Sequence, residues 1–366
     1  MVSSYVPSMA RKPYRVEINY TKTGRKRYFL VKDVKFAGKR RKARLYISSR
    51  ELPPEEVEIF RKEHAPDMEE RAAKKKAELS REYYESEYLT KEQITQIEQI
   101  RHMYKAMTDL MTTNEIEAYE KDFEIQYIHG TTSIEGNTLT VGETKKLLNY
   151  GITPSKKNLR EINEVQNFQS VVAYRDKYKG RVTPEFVRTL HALVMQNIDH
   201  DSAGQFRRVD NVIVTNSDLR PTPSALVEVE MQEAMTDYYT RLKSKGHPFE
   251  LAVLFHHKLE SIHPFTDGNG RVGREVLNFM LRRSKYPRLL FLGTDRDLYL
   301  NALKSGDEGD RGSLVETFAS LIMKQRQGVI QTNLRRLASH QKFKRQTRLE
   351  DYVRIAKQRD TGGILH

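Results

Sequence analysis

From Lys91 to Met280 the apolar residues of this chain recur at threes and fours, and that regularity excludes most architectures. Ile94, Ile97, Ile100, Met103, Met107 and Leu110 form a first stripe, and Phe186, Leu190, Leu193, Val194 and Ile198 a second. Val227, Met231, Ala234 and Tyr238 form a third, Leu251, Leu254, Phe255, Leu259 and Ile262 a fourth, and Val272, Val276, Phe279 and Met280 a fifth. A period near 3.6 places such residues on one helix face, which must pack on a neighbour. Start signals agree: Thr140 and Glu143 have capping-box spacing, and Pro184 follows Thr183 where a first helical turn tolerates proline. The body from about residue 120 is therefore expected to be helical. One short β-prone segment, Val209 to Thr215, lies between Gly204 and Pro221.

The first fifty residues read differently. Val16, Ile18 and Tyr20 alternate, as do Tyr28, Leu30, Val34 and Phe36, and then Ala43, Leu45 and Ile47, with Gly24 and Gly38 in the gaps. This predicts a small β-meander over 14–47. Ser48, Glu51 and Pro53-Pro54 then mark a switch to helix, and residues 55–86 read as an exposed helix or helical linker interrupted near Pro66. The chain's net charge of +14 is concentrated here. Residues 1–50 hold fifteen Lys and Arg against only Glu17 and Asp33, so the remainder is close to neutral. Six aromatics are interleaved with these cations, from Tyr14 to Tyr46, which makes nucleic acid or another polyanion the expected partner of residues 1–50. A solvated basic sheet is the plainer alternative.

There is no cysteine, which removes disulfide and thiolate chemistry. No run of 18 apolar residues suggests a membrane span, and Met1 to Lys12 lacks the pattern of a signal peptide, so no membrane partner and a cytoplasmic address are expected. The tail beyond about residue 327 is basic and polar with few apolar anchors.

The densest chemistry lies between the fourth and fifth stripes, in His263-Pro264-Phe265-Thr266-Asp267-Gly268-Asn269-Gly270-Arg271-Val272-Gly273-Arg274. The order is helix, loop, helix, so Asp267-Gly268-Asn269-Gly270 presents backbone N–H groups at a helix N-terminus, an anion hole suited to phosphate. Arg271 and Arg274 add charge-assisted bonds, Asp267 is a hard oxygen ligand suited to Mg²⁺, and His263 titrates near neutrality and can accept a hydroxyl proton. Gly268, Gly270 and Gly273 match a dinucleotide fingerprint, but that motif follows a strand, and the segment before this one has helical period. His256 and His257 are adjacent on a helix and point apart, which argues against a zinc site.

The segment resembles, at every defining position, the H-P-F-x-D-G-N-G-R-x-x-R signature of Fic domains, which are all-helical enzymes that move AMP from ATP to a protein hydroxyl. The resemblance covers roughly residues 120–326. It implies His263 as general base and Asp267 as the Mg²⁺ ligand. Gly268, Asn269, Gly270 and Arg271 would then cradle the α- and β-phosphates, and Arg274 would hold the γ-phosphate. Thr131 to Asn137 is similar to the family's inhibitory motif, [S/T]-x-x-x-E-[G/N], which would pair Glu135 with Arg274 and mark the subclass with an N-terminal inhibitory helix. Gly204-Gln205-Phe206-Arg207 and the following Val212, Ile213, Val214 and Thr215 are similar to the family's G-x-[FY]-R and β-hairpin flap, which would align an extended target segment. Tyr299 and Asn301 fall by position near an adenine pocket.

The expected fold is thus mainly α, a helical Fic-like core with a short hairpin flap, preceded by a basic β-meander and helical linker. The expected divisions are 1–50, 51–119, 120–326 and 327–366. The leading function is a protein adenylyltransferase using Mg²⁺-ATP, autoinhibited by Glu135, with a Ser, Thr or Tyr hydroxyl of a protein as acceptor; a homodimer is a family-level expectation. Removal of AMP by the same residues is an alternative, and a nucleic-acid-binding regulator with an ATP-sensing helical domain is an alternative of another class.

Overall fold

A computed structural model of the chain describes residues 14–210 and 221–360, with side chains up to residue 337 except at position 335. Its contacts divide it into two compact units, residues 1–82, 98–111 and 327–366, and residues 83–97 and 112–326.

In the first unit, β1 (Arg15–Tyr20), β2 (Lys26–Phe36) and β3 (Lys39–Ser48) form an antiparallel meander in the order β1-β2-β3. Phe36 pairs with Lys39 across the two-residue turn Ala37-Gly38, where both residues have positive φ, as a primed hairpin turn requires. Two helices follow, α1 (Pro54–Glu63) and α2 (Ala65–Tyr83). Proline at N1, rather than a Ser48 cap, starts α1. The expectation that 55–86 is exposed fails for α2. Leu30, Val34 and Ala43 of the sheet share a core with Met68, Ala72 and Leu79 of that helix. Its buried stripe is largely alanine, so it shows little of the bulk by which amphipathic helices are recognised.

In the second unit, α4 (Thr113–Ile134), α5 (Val141–Tyr150) and α6 (Leu159–Lys177) each begin at a complete capping box, on Thr112, Thr140 and Asn158. They precede α7 (Pro184–Val194), α8 (Val227–Lys243), α9 (Pro248–Ile262), α10 (Asn269–Arg283) and α11 (Arg296–Asp307). Two further helices, α3 (Lys91–Leu110) and α12 (Arg311–Asp360), contribute turns to both units. The α7 stripe stops at Val194, short of Ile198.

The core runs between α9 and α10, where Val253, Leu259, Ile262, Val272, Val276 and Leu277 are almost fully buried. Arg175 of α6 reaches Glu124 of α4 at 2.6 Å and Glu275 of α10 at 3.2 Å, a buried ionic tie among three helices. Breaking such a tie leaves an uncompensated buried charge, whereas its net gain over apolar packing is small, so it fixes helix register more than it adds stability. Among the described residues no helix is long and apolar enough to cross a membrane.

Candidate active site

The reactive loop is the connection between α9 and α10, and its shape follows from two left-handed residues. His263 caps α9 at φ 51°, ψ 62°, and Gly268 caps the start of α10 at φ 78°. Glycine adopts that conformation without cost, but for histidine it is disfavoured and must be held by its surroundings. Arg207 supplies much of that hold. Its Nε donates to the His263 carbonyl at 2.7 Å, Nη2 donates to the Ile262 carbonyl at 3.3 Å, and its backbone N–H donates to Pro264 at 2.9 Å. These bonds satisfy carbonyls that the end of α9 leaves open. Sequence reasoning placed Arg207 in a motif without finding this task.

His263 has its Nδ1 3.3 Å from the Glu260 carbonyl, a contact that favours the tautomer with the proton on Nδ1 and the lone pair on Nε2. Burial lowers its pKa below the usual 6.5, so the ring is neutral near pH 7. A neutral imidazole with a free Nε2 is what a general base requires.

The loop's far side is braced by His191 of α7, whose ring stacks on Phe265 with centroids 3.7 Å apart. Its Nδ1 accepts the Gly204 N–H at 2.9 Å and its Nε2 donates to the Asp267 carbonyl at 3.0 Å. Burial drives its pKa down to about 4, which keeps both bonds intact at neutral pH. A lone histidine on an apolar helix face gives no sequence signal of such a role. Asn269 closes the loop from within, its side chain bonded in both directions to the Phe265 backbone. Its backbone N–H at the start of α10 remains for an anion.

Asp267 accepts from the Gly268 N–H at 2.5 Å and from Arg271 Nη2 at 3.0 Å, and also pairs with Arg160 of α6, a partner that no motif indicated. Burial alone would raise its pKa; the Arg271 charge, the Gly268 N–H and Arg160 outweigh it, so the carboxylate is ionised. Arg271 is almost fully buried, and its Nε and Nη1 make no hydrogen bond, although Nη1 lies 3.3 Å from Glu164. Unsatisfied buried guanidinium N–H groups beside the first-turn amides of α10 fit phosphate oxygens. One ionised carboxylate at that spot fits Mg²⁺ carried in on a triphosphate, since that ion takes few protein ligands there.

Arg274 lies one turn further along α10 and is 1% exposed. Its Nε donates to Thr131 Oγ1 at 2.8 Å, and Nη2 donates to the Thr131 carbonyl at 2.9 Å and to Glu135 Oε1 at 2.7 Å. Its guanidinium lies over the Tyr299 ring, 5.6 Å from the centroid. Burial would lower its pKa, but the Glu135 charge reverses this and fixes the cation. Glu135 is the C-cap of α4, so the helix end delivers the carboxylate. At Gly270 a Cβ would overlap that carboxylate, which explains why this turn of α10 carries no side chain.

Tyr299 is buried beneath Arg274, its hydroxyl 3.0 Å from His256 Nε2, while Asn301 is exposed. His257 bonds Asp307 at 2.8 Å, and no cluster of metal-ligating groups occurs among the described residues. Val212, Ile213, Val214 and Thr215 lie outside the described residues. The ends of that segment are clasped: Arg207 donates to the carbonyls of Val209 and Thr222, and Asp210 accepts the Ser224 N–H at 2.6 Å.

Glu260 sits between His256 and Arg274, its side chain 13% exposed and its Oε1 without a hydrogen bond. Burial pushes its pKa up to about 8, despite Arg274. The folded chain thus keeps a proton there that the unfolded chain releases above about pH 4.3, so this group's contribution to stability falls as pH rises from there to about 8. Glu260→Gln should remove that loss. Its thermal midpoint should exceed the wild type's by more at pH 8 than at pH 5, and an equal difference at both values would show that Glu260 is not protonated in the fold.

Residues 181–281 match the sequence model of the Fic/DOC family. The protein adenylyltransferase Fic of Drosophila ananassae is 32% identical over 194 residues, 52% of this chain and 38% of that protein. The chain therefore spans about two fifths of the length of the curated relatives it matches. Among solved structures, a Fic domain-containing signaling protein from Bacteroides thetaiotaomicron superposes with a TM-score of 0.58 at 23% identity, over 68% of this chain and 97% of that one. Fic-1 from C. elegans gives 0.54 at 22% identity, over 78% and 94%. The helical body has the Fic fold, and its reactive loop lies in the segment that matches the family.

Proposed function

We propose that the chain is a protein adenylyltransferase whose resting state is held inactive by Glu135. The observation that carries the reading is the juxtaposition of a neutral His263, an ionised Asp267 and the partly unsatisfied Arg271 around the start of α10, with Arg274 already engaged by Glu135. The likeness to curated adenylyltransferases supports the same chemistry.

In this reading the triphosphate of ATP lies on the first-turn amides of Gly268, Asn269, Gly270 and Arg271, with Arg271 on its oxygens. Mg²⁺ bound with ATP and held by Asp267 would neutralise charge on the leaving pyrophosphate. A Ser, Thr or Tyr hydroxyl of a protein gives its proton to His263 Nε2 as its oxygen bonds to the α-phosphorus. The bond to the β-phosphate breaks, and pyrophosphate leaves with that electron pair. Arg274 would hold the γ-phosphate when Glu135 lets it go. The segment 211–220 would align the acceptor chain. The test is transfer of label from α-labelled ATP, but not from γ-labelled ATP, to protein; label carried by the γ-phosphate would contradict the assignment.

A further inference from the structure

The catalytic chemistry uses none of the sheet in the first unit, where most of the chain's net charge resides. One face of that sheet packs on α2. On the other, strand register puts six cations, Arg15, Arg27, Lys35, Arg40, Lys42 and Arg44, against the two carboxylates Glu17 and Asp33, around a buried Val31. All six are exposed.

The carboxylates organise this surface without neutralising it. Glu17 is shared by Arg15 at 2.7 Å, Lys42 at 2.8 Å and Arg44 at 3.6 Å, and Asp33 also pairs with Arg15. Hydrogen bonds from these cations lower both carboxylates' pKa values and keep them ionised, and six cations against two carboxylates leave the face net positive. Beside β3, Arg40, Arg41, Lys42, Arg44 and Lys75 line an open cavity of about 560 Å³ together with Asp33. Near one end of the face Phe29 of β2 meets Tyr46 of the outer strand β3 edge to face at 5.7 Å, and Tyr46 is half exposed.

We propose that this face binds double-stranded DNA by laying the sheet along the major groove. Three strands about 4.8 Å apart place their outer axes roughly 10 Å from each other, within a B-form major groove about 12 Å wide. Cations of the outer strands, with Arg27 and Lys35 near the two ends of the central strand, then meet phosphates on the groove walls, and Tyr46 faces base edges. A-form RNA has a major groove too narrow for a sheet, and single strands need several exposed rings for stacking, where this face offers one. An anionic membrane would take the charge, but the face carries no large apolar residue exposed for insertion other than Tyr46.

The test is anisotropy of a labelled 20-base-pair DNA duplex titrated with the full chain between 50 and 200 mM salt. Each phosphate contact contributes about −0.9 to the slope of log K against log salt, so four to six contacts give about −3.5 to −5.5. R40Q/K42Q/R44Q should flatten the slope by about 2.7 and weaken binding more than tenfold at 50 mM salt. R27Q/K35Q, which leaves every Glu17 contact in place, should flatten it by about 1.8 and serves if the triple variant does not fold. Tyr46→Ala should weaken binding without changing the slope. No duplex binding at 50 mM salt would overturn the proposal. So would an unchanged slope in both charge variants, or displacement of the duplex by equal phosphate concentrations of single strand or phosphatidylserine vesicles.

Discussion

Replacing Glu135 by glycine should raise AMP transfer by about ten- to a hundredfold, the range that corresponds to one charge-assisted hydrogen bond of about 1.5–3 kcal/mol. The reason lies in how Arg274 is held. Of its three bonds to α4, two go to Thr131 and only one to Glu135. Loss of the carboxylate therefore leaves the guanidinium in position and frees Nη2 for a phosphate oxygen. The same substitution leaves a buried cation without its counter-charge, so the ATP-free variant should melt below the wild type. Mg²⁺-ATP should then raise its midpoint by more than it raises the wild type's, since ligand binding to the folded state stabilises it. A variant with faster transfer but no larger shift with ATP would separate release of Arg274 from nucleotide binding. Glu135→Gln keeps the shape and part of the hydrogen bond, and should fall between the two.

His263→Ala should lower transfer by about 10²- to 10⁴-fold, the usual worth of a positioned general base. It should leave the thermal shift with Mg²⁺-ATP close to that of its parent, because no phosphate contact is assigned to the ring. Transfer by the intact protein should decline as pH falls through the His263 pKa, which lies below 6.5 because the ring is buried. That acid limb must vanish in the residual activity of the variant. The proton argument also makes Arg207 consequential at a distance: it touches no reacting atom, yet it holds the left-handed turn that aims the imidazole.

The helical body and the reactive loop were legible in the sequence for a physical reason. Stripes at threes and fours, the capping box at Thr140, and a glycine-rich helix start are local signals, and the chain satisfies them locally. The meander was legible because alternation and the turn at Ala37-Gly38 are local as well. What escaped depends on contacts distant in sequence. Half of the buried residues of α2 are alanines, whose burial reflects what packs on them. His191, Arg160 and Glu260 take their roles from loops and helices that only the fold brings near, at separations such as 76 residues for His191 and Asp267. Tyr299, placed by its position near an adenine pocket, has its ring under Arg274.

The account stands on one site in which His263 moves the proton and Glu135 withholds Arg274. Intact-protein mass spectrometry of Glu135→Gly and of the double variant Glu135→Gly/His263→Ala, each incubated with Mg²⁺-ATP and cell lysate, tests it most directly. The account predicts a mass increase of one AMP on protein with the single variant and none with the double. Equal adducts in both, or none in either while ATP binding persists, would contradict it.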